Sequence, residues 1–351
     1  MLLADRIESF KKLGAILRHY PNTKEPKVDL ILKSAAQRAE AANPWFTQEQ
    51  ICRSFHAIGE SLQAKNIDRW LKPYLHRIEP SVHAQTVGVV MAGNIPAVGF
   101  HDFLCVLISG NTMLGKLSSQ DDQLLPALAS VLIEINKGWE SSIFWTAEKL
   151  TSFDLLIATG NNNSARYFEY YFRKYPHLIR KNRNGIAILT GQETIEEIRG
   201  LAEDVMSYFG LGCRNVSKIF IPDNYDFSKL LQALKDYSHY SQHHKYMNNY
   251  DYQKSCFLLN NKPFIDSGFL LLTPGASLAS PVAVVNFEIY SQISEIYLAI
   301  KNVMESIQCI VCNFPFSMPT IVPGKTQSPE LWDFSDGIDT MDFLLSKLSV
   351  P

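Results

Sequence analysis

The 351-residue chain lacks a strong charge of either sign. Its 33 basic and 35 acidic side chains leave a formal net charge of -2, so no basic field invites a nucleic acid. No hydrophobic run approaches the length of a membrane helix. There is no internal repeat and no low-complexity linker. The six cysteines (Cys52, Cys105, Cys213, Cys256, Cys309, Cys312) are too few for a disulfide framework in a chain this long. The start, Met1 to Glu8, opens an amphipathic helix rather than a signal peptide, which points to the cytoplasm. What is left, 46% hydrophobic and 19% charged, is the composition of an α/β protein large enough for two domains.

One cysteine stands in an unusual neighbourhood, Gly210-Leu211-Gly212-Cys213-Arg214-Asn215. It lies between an amphipathic helix expected over 194–209 and a strand expected over 218–222. Glycines before it relieve steric bulk and allow backbone angles closed to other residues. A thiol on such a turn is open to substrate and sits beside backbone N–H groups, the setting for a nucleophile whose product is an oxyanion. The plainer alternative is that Cys213 is a small buried hydrophobe.

Upstream, 87–91 reads as a buried strand that ends in Gly93-Asn94-Ile95-Pro96. Ligands of open α/β sheets bind at such carboxyl ends, and the Asn94 amide there can donate to a developing negative charge. Asn94 equally reads as the cap of the next helix, expected over 98–108. Gly110-Asn111 closes that helix. A second strand over 112–116 then brings Lys116 to its carboxyl end, where a cation reaches a ribose hydroxyl or a phosphate, or is simply solvated.

Other patterns carry less. Cys309 and Cys312 match Cys-x-x-Cys, but within an apolar strand alternation puts them on opposite faces. His239 and His243 are four apart and would share a helix face, yet no carboxylate or thiolate completes a set of ligands, so no metal site is expected. The run Tyr167-Phe168-Glu169-Tyr170-Tyr171-Phe172 has helical spacing and reads as core packing. Helices are expected over 5–20 (Ile7, Phe10, Leu13 and Leu17 on one side), 27–43 and 47–65.

Strand, Gly-Asn-Ile-Pro, apolar helix, Gly-Asn-Thr, strand and Lys116-x-Ser118 together resemble the cofactor half of the aldehyde dehydrogenase superfamily. So does the strand ending in Thr159-Gly160-Asn161 before a helix, with Asn161 where the superfamily has serine. Within it, the stretch 92–112, the segment Tyr246-Met-Asn-Asn-Tyr-Asp-Tyr-Gln-Lys254 and the tail from Pro323 look most like the LuxC-type acyl-CoA reductases. The resemblance runs from about Val87 onward, and the chain is shorter than typical members. It implies an α/β, aldehyde dehydrogenase-like fold with two Rossmann-like domains after a helical N-terminal segment. The expected division is 1–80 helical, 81–189 with 321–351 binding NAD(P), and 190–320 catalytic. The N-terminal helices would pack on the sheet or cover the acyl entrance, and the turn 336–339 would border the cleft.

The resemblance also implies roles. Cys213 is the nucleophile and Asn94 the oxyanion donor. Lys116 and Ser118 take the adenosine side of the cofactor, and Gly160 and Asn161 its pyrophosphate, at a helix N-terminus. Departures sharpen the expectation. Leu189 stands where hydrolytic members carry a water-activating glutamate, while Glu193 is expected in the first turn of the next helix. Ser277-Leu-Ala-Ser-Pro281 replaces a segment whose glutamate contacts the nicotinamide ribose. Ser119 replaces an acidic residue, which favours NADPH over NADH. The expected activity is therefore reduction of an acyl-CoA, or a related acyl thioester, to the aldehyde by NADPH (NADH the alternative cofactor). An acyl-phosphate reductase of the same superfamily and a non-catalytic acyl carrier or scaffold are the alternatives. Expected partners are the acyl substrate and a second copy of the chain, with no nucleic acid and no membrane span.

Overall fold

The computed structural model describes residues 1–78 and 84–347. The boundary expected at 80/81 and the last residues of the expected tail, 348–351, lie outside the described residues. The chain divides into two compact units, Met1–Asn182 together with the chain from Ser328 on, and Arg183–Gln327.

The first unit opens with helices α1 (Leu3–Arg18), α2 (Pro26–Ala42), α3 (Gln48–Ser61), α4 (Ala64–Leu71) and the short α5 (Leu75–Ile78). The single helix expected over 47–65 is two, broken at Leu62-Gln63. An alternating series follows: β1 (Thr86–Val90), α6 (Phe100–Ile108), β2 (Thr112–Lys116), α7 (Leu124–Ile135), β3 (Ile143–Thr146), β4 (Leu155–Thr159), α8 (Asn162–Phe172) and β5 (His177–Arg180). The strands form a parallel sheet in the order β3-β2-β1-β4-β5. Period-2 alternation divides their side chains between two layers. Val87, Val89, Leu155 and Ile157 face the large core, whereas Leu156 and Ala158 pack with Leu150 and Phe153 on the other side. The α6 helix ends where Gly110 takes the left-handed region (φ 92), with the Asn111 N–H reaching the Val106 carbonyl.

The N-terminal helices are not a separate layer on the sheet. Phe10, Leu13, Leu17, Leu32 and Phe55 share one core with Phe103, Leu107 and Leu128 of α6 and α7. The α1 and α3 helices approach through glycines. A Cβ on Gly14 would lie 2.5 Å from the Leu62 Cβ, and one on Gly59 2.8 Å from the Arg18 nitrogen.

The second unit comprises β6 (Asn184–Ile188), α9 (Ile195–Met206), β7 (Val216–Pro222), α10 (Ser228–Leu234), α11 (His244–Leu259), β8 (Ile265–Asp266), β9 (Leu271–Pro274), β10 (Val284–Tyr290), α12 (Ile293–Lys301) and β11 (Ile307–Val311). Its sheet has the order β11-β6-β7-β10-β9-β8, parallel except for the edge strand β8. Since β6 belongs to this sheet, the units divide at 182/183 rather than at the expected 189/190. They divide again at 327/328 rather than 320/321, because residues 321–326 remain with the second unit. Ile321 bridges Val311. The Asp204 carboxylate accepts from the N–H of Gly324 (2.7 Å), the N–H of Thr326 (3.1 Å) and the Thr326 hydroxyl (2.8 Å).

From Ser328 the chain is part of the first unit, and α13 (Thr340–Lys347) packs on α6. Arg180, at the carboxyl end of β5, donates to Asp102 (2.7 Å), to the Ser335 carbonyl (2.8 Å) and to the Thr340 hydroxyl (2.8 Å). Tyr74 donates to Asp339 at 2.6 Å. The expected 336–339 turn is thus fixed on the first unit by two buried or half-buried side chains.

Two stability predictions follow from these contacts. Gly14→Ala should cost about 1–3 kcal/mol, because the α1–α3 contact has no room for a methyl group; urea unfolding reads the loss. Burial of Asp204 pushes its carboxyl up to about 6 from 3.8, against the pull of the Gly324 and Thr326 donors. The folded state therefore holds this proton more tightly than the unfolded chain. The resulting stability is fully present below about pH 4 and is lost as pH rises through about 6. Asp204→Asn should flatten that part of a urea-midpoint profile against pH.

Candidate active site

In the first unit, β1 is flanked by β2 and β4, so the chain reverses direction across the sheet between β1 and β4. Such a switch point opens a crevice at the carboxyl ends of the strands. Asn94, Lys116, Ser118, Gly160 and Asn161 all follow the carboxyl ends of β1, β2 and β4, so this one edge gathers five of the expected residues.

The half-buried Asn94 sits on a turn supported from three sides. The Met91 N–H donates to the Lys116 carbonyl (3.0 Å). The buried Asp121 accepts from the Ala97 N–H (2.8 Å) and the Leu124 N–H (3.2 Å). Ser54 of α3 donates to the Pro96 carbonyl (2.7 Å). Burial raises the Asp121 carboxyl above the usual range although those backbone donors pull it down. Ala97 takes the left-handed region (φ 54), which delays α6 to Phe100 instead of the expected 98. The residue preceding α6 is Gly99, so Asn94 is not its cap. Ser54 and Asp121 were invisible to the sequence reading, because both act across elements distant in the chain.

Lys116 is more than a solvated strand end. Its ammonium donates to the carbonyls of Ala147 (3.2 Å) and Glu148 (2.7 Å). The Ser118 hydroxyl accepts from the Gln120 N–H at 3.2 Å, and Gly93 runs so close that a Cβ there would lie 2.6 Å from that oxygen. Asn161 caps α8 by accepting from the Ser164 N–H at 2.8 Å. A Cβ on Gly160 would lie 2.9 Å from the Ser164 Cβ, so only glycine lets the strand pass this near the helix start. An 11-residue helix that begins at the crevice presents its positive end there. Glycine turn, helix start and strand-end lysine together suit a phosphorylated dinucleotide.

Cys213 lies in the second unit, on the turn between α9 and β7, and is exposed; the buried-hydrophobe alternative is excluded. The helix stops at Met206, short of the expected 209. Tyr208 (φ 51), Phe209 (φ 58) and Gly210 (φ 75) then run successively through the left-handed region. Two of these carry side chains that disfavour it by roughly 1–2 kcal/mol each, so something must hold the chain there. The Phe209 ring packs on Tyr240 and Tyr246, and the turn is fastened by Asn215, which is 2% exposed. Its carboxamide donates to the carbonyls of Asp204 (2.9 Å), Val205 (3.4 Å) and Ser207 (2.9 Å) and accepts from the Gly212 N–H (2.8 Å). The Asn215 N–H returns to the Gly212 carbonyl at 3.0 Å. Two of the last carbonyls of α9, those of Asp204 and Val205, which would disfavour a thiolate nearby, are thereby covered.

The sequence pattern of one protein family, acyl-CoA reductase (LuxC), matches residues 16–244, from α1 through the cysteine turn. The chain belongs to this family. A curated relative, the long-chain acyl-protein thioester reductase of Aliivibrio fischeri, is 24% identical over 224 residues, 58% of this chain. The alignment spans 45% of that relative's own length. Solved structures establish the fold as aldehyde dehydrogenase-like. The NAD+ complex of an aldehyde dehydrogenase from Bacillus cereus matches with a TM-score of 0.60 at 13% identity, covering 86% of this chain and 70% of that one. Aldehyde dehydrogenase KauB from Pseudomonas aeruginosa gives 0.61 at 10%, covering 90% and 73%.

Other parts of this LuxC-family chain correct the expectations. Glu193 is not in the first turn of α9 but precedes its cap, Thr194. Its buried carboxylate accepts from the Thr190 N–H (2.5 Å), the Thr190 hydroxyl (2.9 Å) and the Gly191 N–H (3.1 Å), which commits it to the turn. Leu189 is buried at the end of β6. His239 and His243 do not share a helix face, because a 3-10 stretch ends at Gln242 and His243 is the extended cap of α11. Among the described residues no cluster of histidine, cysteine or carboxylate is arranged to hold a metal, and no helix is long and apolar enough to cross a membrane. The aromatic run splits. Phe168 and Phe172 pack beneath α8, while Tyr167, Tyr170 and Tyr171 are exposed, since a helix lying on a sheet buries one face only.

Asn215→Ala would strip the Gly212 N–H and the α9 carbonyls of their partner. It should lower stability by about 2–3 kcal/mol and slow iodoacetamide alkylation of Cys213 at fixed pH. Urea unfolding and site-resolved mass spectrometry check the two effects.

Proposed function

We propose that the chain reduces an acyl thioester to the aldehyde through a covalent thioester on Cys213. The observation that carries this reading is the exposed thiol on a turn locked by Asn215, within a chain of the LuxC family. The Cys213 thiolate attacks the acyl carbonyl carbon. The bond from that carbon to the leaving sulfur breaks, and the departing thiolate takes up a proton. Asn94 and the Cys213 N–H are assigned to the oxyanion. When bound, a reduced nicotinamide supplies the hydride for the acyl carbon, and the Cys213 sulfur then leaves as thiolate and releases the aldehyde.

Water is the competitor, and the residues present disfavour it. Leu189 has no base to offer, and the Glu193 carboxylate is occupied by its own turn. The acyl group on Cys213 is therefore kept for reduction rather than hydrolysis. Gly160, Asn161 and the start of α8 are assigned to the pyrophosphate, and Lys116 and Ser118 to the adenosine side. Without a carboxylate at Ser119, a 2′-phosphate meets less repulsion, which favours NADPH. The proposed substrate is a fatty acyl-CoA. The acyl-protein substrate in the name of the Aliivibrio relative makes a protein-borne thioester the other form to test.

Intact-protein mass spectrometry after mixing with a medium-chain acyl-CoA tests the reading. The expected result is an acyl adduct on Cys213 that NADPH discharges as aldehyde. An adduct that persists with NADPH would identify an acyl carrier, and an adduct formed only from an acyl phosphate would change the substrate. Cys213→Ala should abolish the adduct. Asn94→Ala should lower turnover about 100-fold, the worth of one oxyanion donor at ~3 kcal/mol; unchanged turnover would remove Asn94 from the site.

A further inference from the structure

Lys218 has no part in that chemistry, yet its side chain is wholly buried, an expensive place for an ammonium group. It is the third residue of β7, the strand that starts from the cysteine turn. Its Nζ donates to the Gly275 carbonyl and to the Glu288 carboxylate (2.5 Å). Asn286, its register partner on β10, donates to the carbonyls of Ser277 and Ala279, both at 3.0 Å. Ser217, the neighbour of Lys218, donates to the Leu278 carbonyl at 2.7 Å.

Apart from the Glu288 carboxylate, all these acceptors are carbonyls of one segment, 275–281. It leaves the carboxyl end of β9 and returns to the start of β10, a parallel neighbour. Parallel strands are normally joined through a dozen or more residues, usually including a helix that satisfies its own backbone. Residues 275–283 make this connection without one, so side chains of β7 and β10 take up the carbonyls instead. The far end of the segment reaches the cysteine turn. Ser280 and Pro281 line a small cavity together with Phe209 and Gly210, the left-handed residues ahead of Cys213.

We propose that Lys218 is a positioning residue that holds segment 275–281 in register with the Cys213 turn and so aligns the thiol side of the site for acyl transfer. The inference rests on the acyl-thioester reading given above. An apolar pair in place of the ions removes the Lys218 tether while sparing the fold, because a buried charge such as Lys218 commonly exchanges for a well-packed apolar side chain without loss of stability and its partner Glu288 is 42% exposed. The test is therefore the double variant K218M/E288L in the full chain, with K218M beside it. With the urea midpoint near that of the wild type, hydrogen exchange across 276–280 should rise about tenfold. Cys213 acylation by a medium-chain acyl-CoA should slow about tenfold, as alignment-dependent steps do when their geometry loosens. Alkylation of Cys213 by iodoacetamide, which needs no alignment, should stay close to the wild-type rate. Unchanged exchange or unchanged acylation in the folded double variant overturns the proposal, and so does an equal fall in acylation and alkylation. If the wild type itself takes no acyl group, the acyl reading fails, and hydrogen exchange alone then decides whether Lys218 holds the segment.

Discussion

The carboxamide of Asn215 is the interaction on which the second unit's cysteine turn depends. A helix that runs into a parallel strand must spend its last carbonyls somewhere, and here two of them, with the Ser207 carbonyl just beyond, converge on one buried side-chain amide. The same amide takes the Gly212 N–H, which closes the turn on both sides of the cysteine. This anchor works together with the packing of the Phe209 ring on Tyr240 and Tyr246 to keep Tyr208 and Phe209 in the left-handed region. The exposure of Cys213 is thus a product of buried hydrogen bonding rather than of a loose loop.

Residue 204 extends that anchor in a second direction. Its carbonyl receives Asn215, while its carboxylate holds Gly324 and Thr326. One turn of α9 therefore carries both the cysteine turn and the segment by which the chain leaves the second unit. The first unit has a comparable arrangement on another scale. Ser54 of the N-terminal helices and Asp121 before α7 converge on the turn that carries Asn94. The helical segment belongs to the support of this turn, consistent with the core it shares with α6 and α7.

Much of the strand framework was legible in the sequence because it is written locally. The β1, β2 and β4 strands are apolar runs ended by Gly, Asn or Lys, and the cap at Asn161 and the stop at Gly110 follow from backbone chemistry. What stayed hidden depends on partners far along the chain. The early end of α9 is decided by Asn215, the place of Glu193 by the turn it clamps, and the buried Lys218 by a segment some sixty residues later. Helical spacing alone could not tell Tyr171 from Phe172, since only the sheet beneath distinguishes the two faces. The pair His239 and His243 failed for the opposite reason: a spacing argument assumed one continuous helix where the chain changes conformation between them.

The first unit is assembled from two stretches of chain with the whole second unit between them. During synthesis, Arg180 leaves the ribosome with Asp102 already made, but the Ser335 carbonyl and the Thr340 hydroxyl do not yet exist. Nor does Asp339 exist for Tyr74, or the face of α13 for α6. The interrupting unit has all its strands before those partners emerge. The natural order of assembly on the ribosome is therefore inside out: the part carrying the cysteine can close first, and the part that begins the chain is the last to be finished.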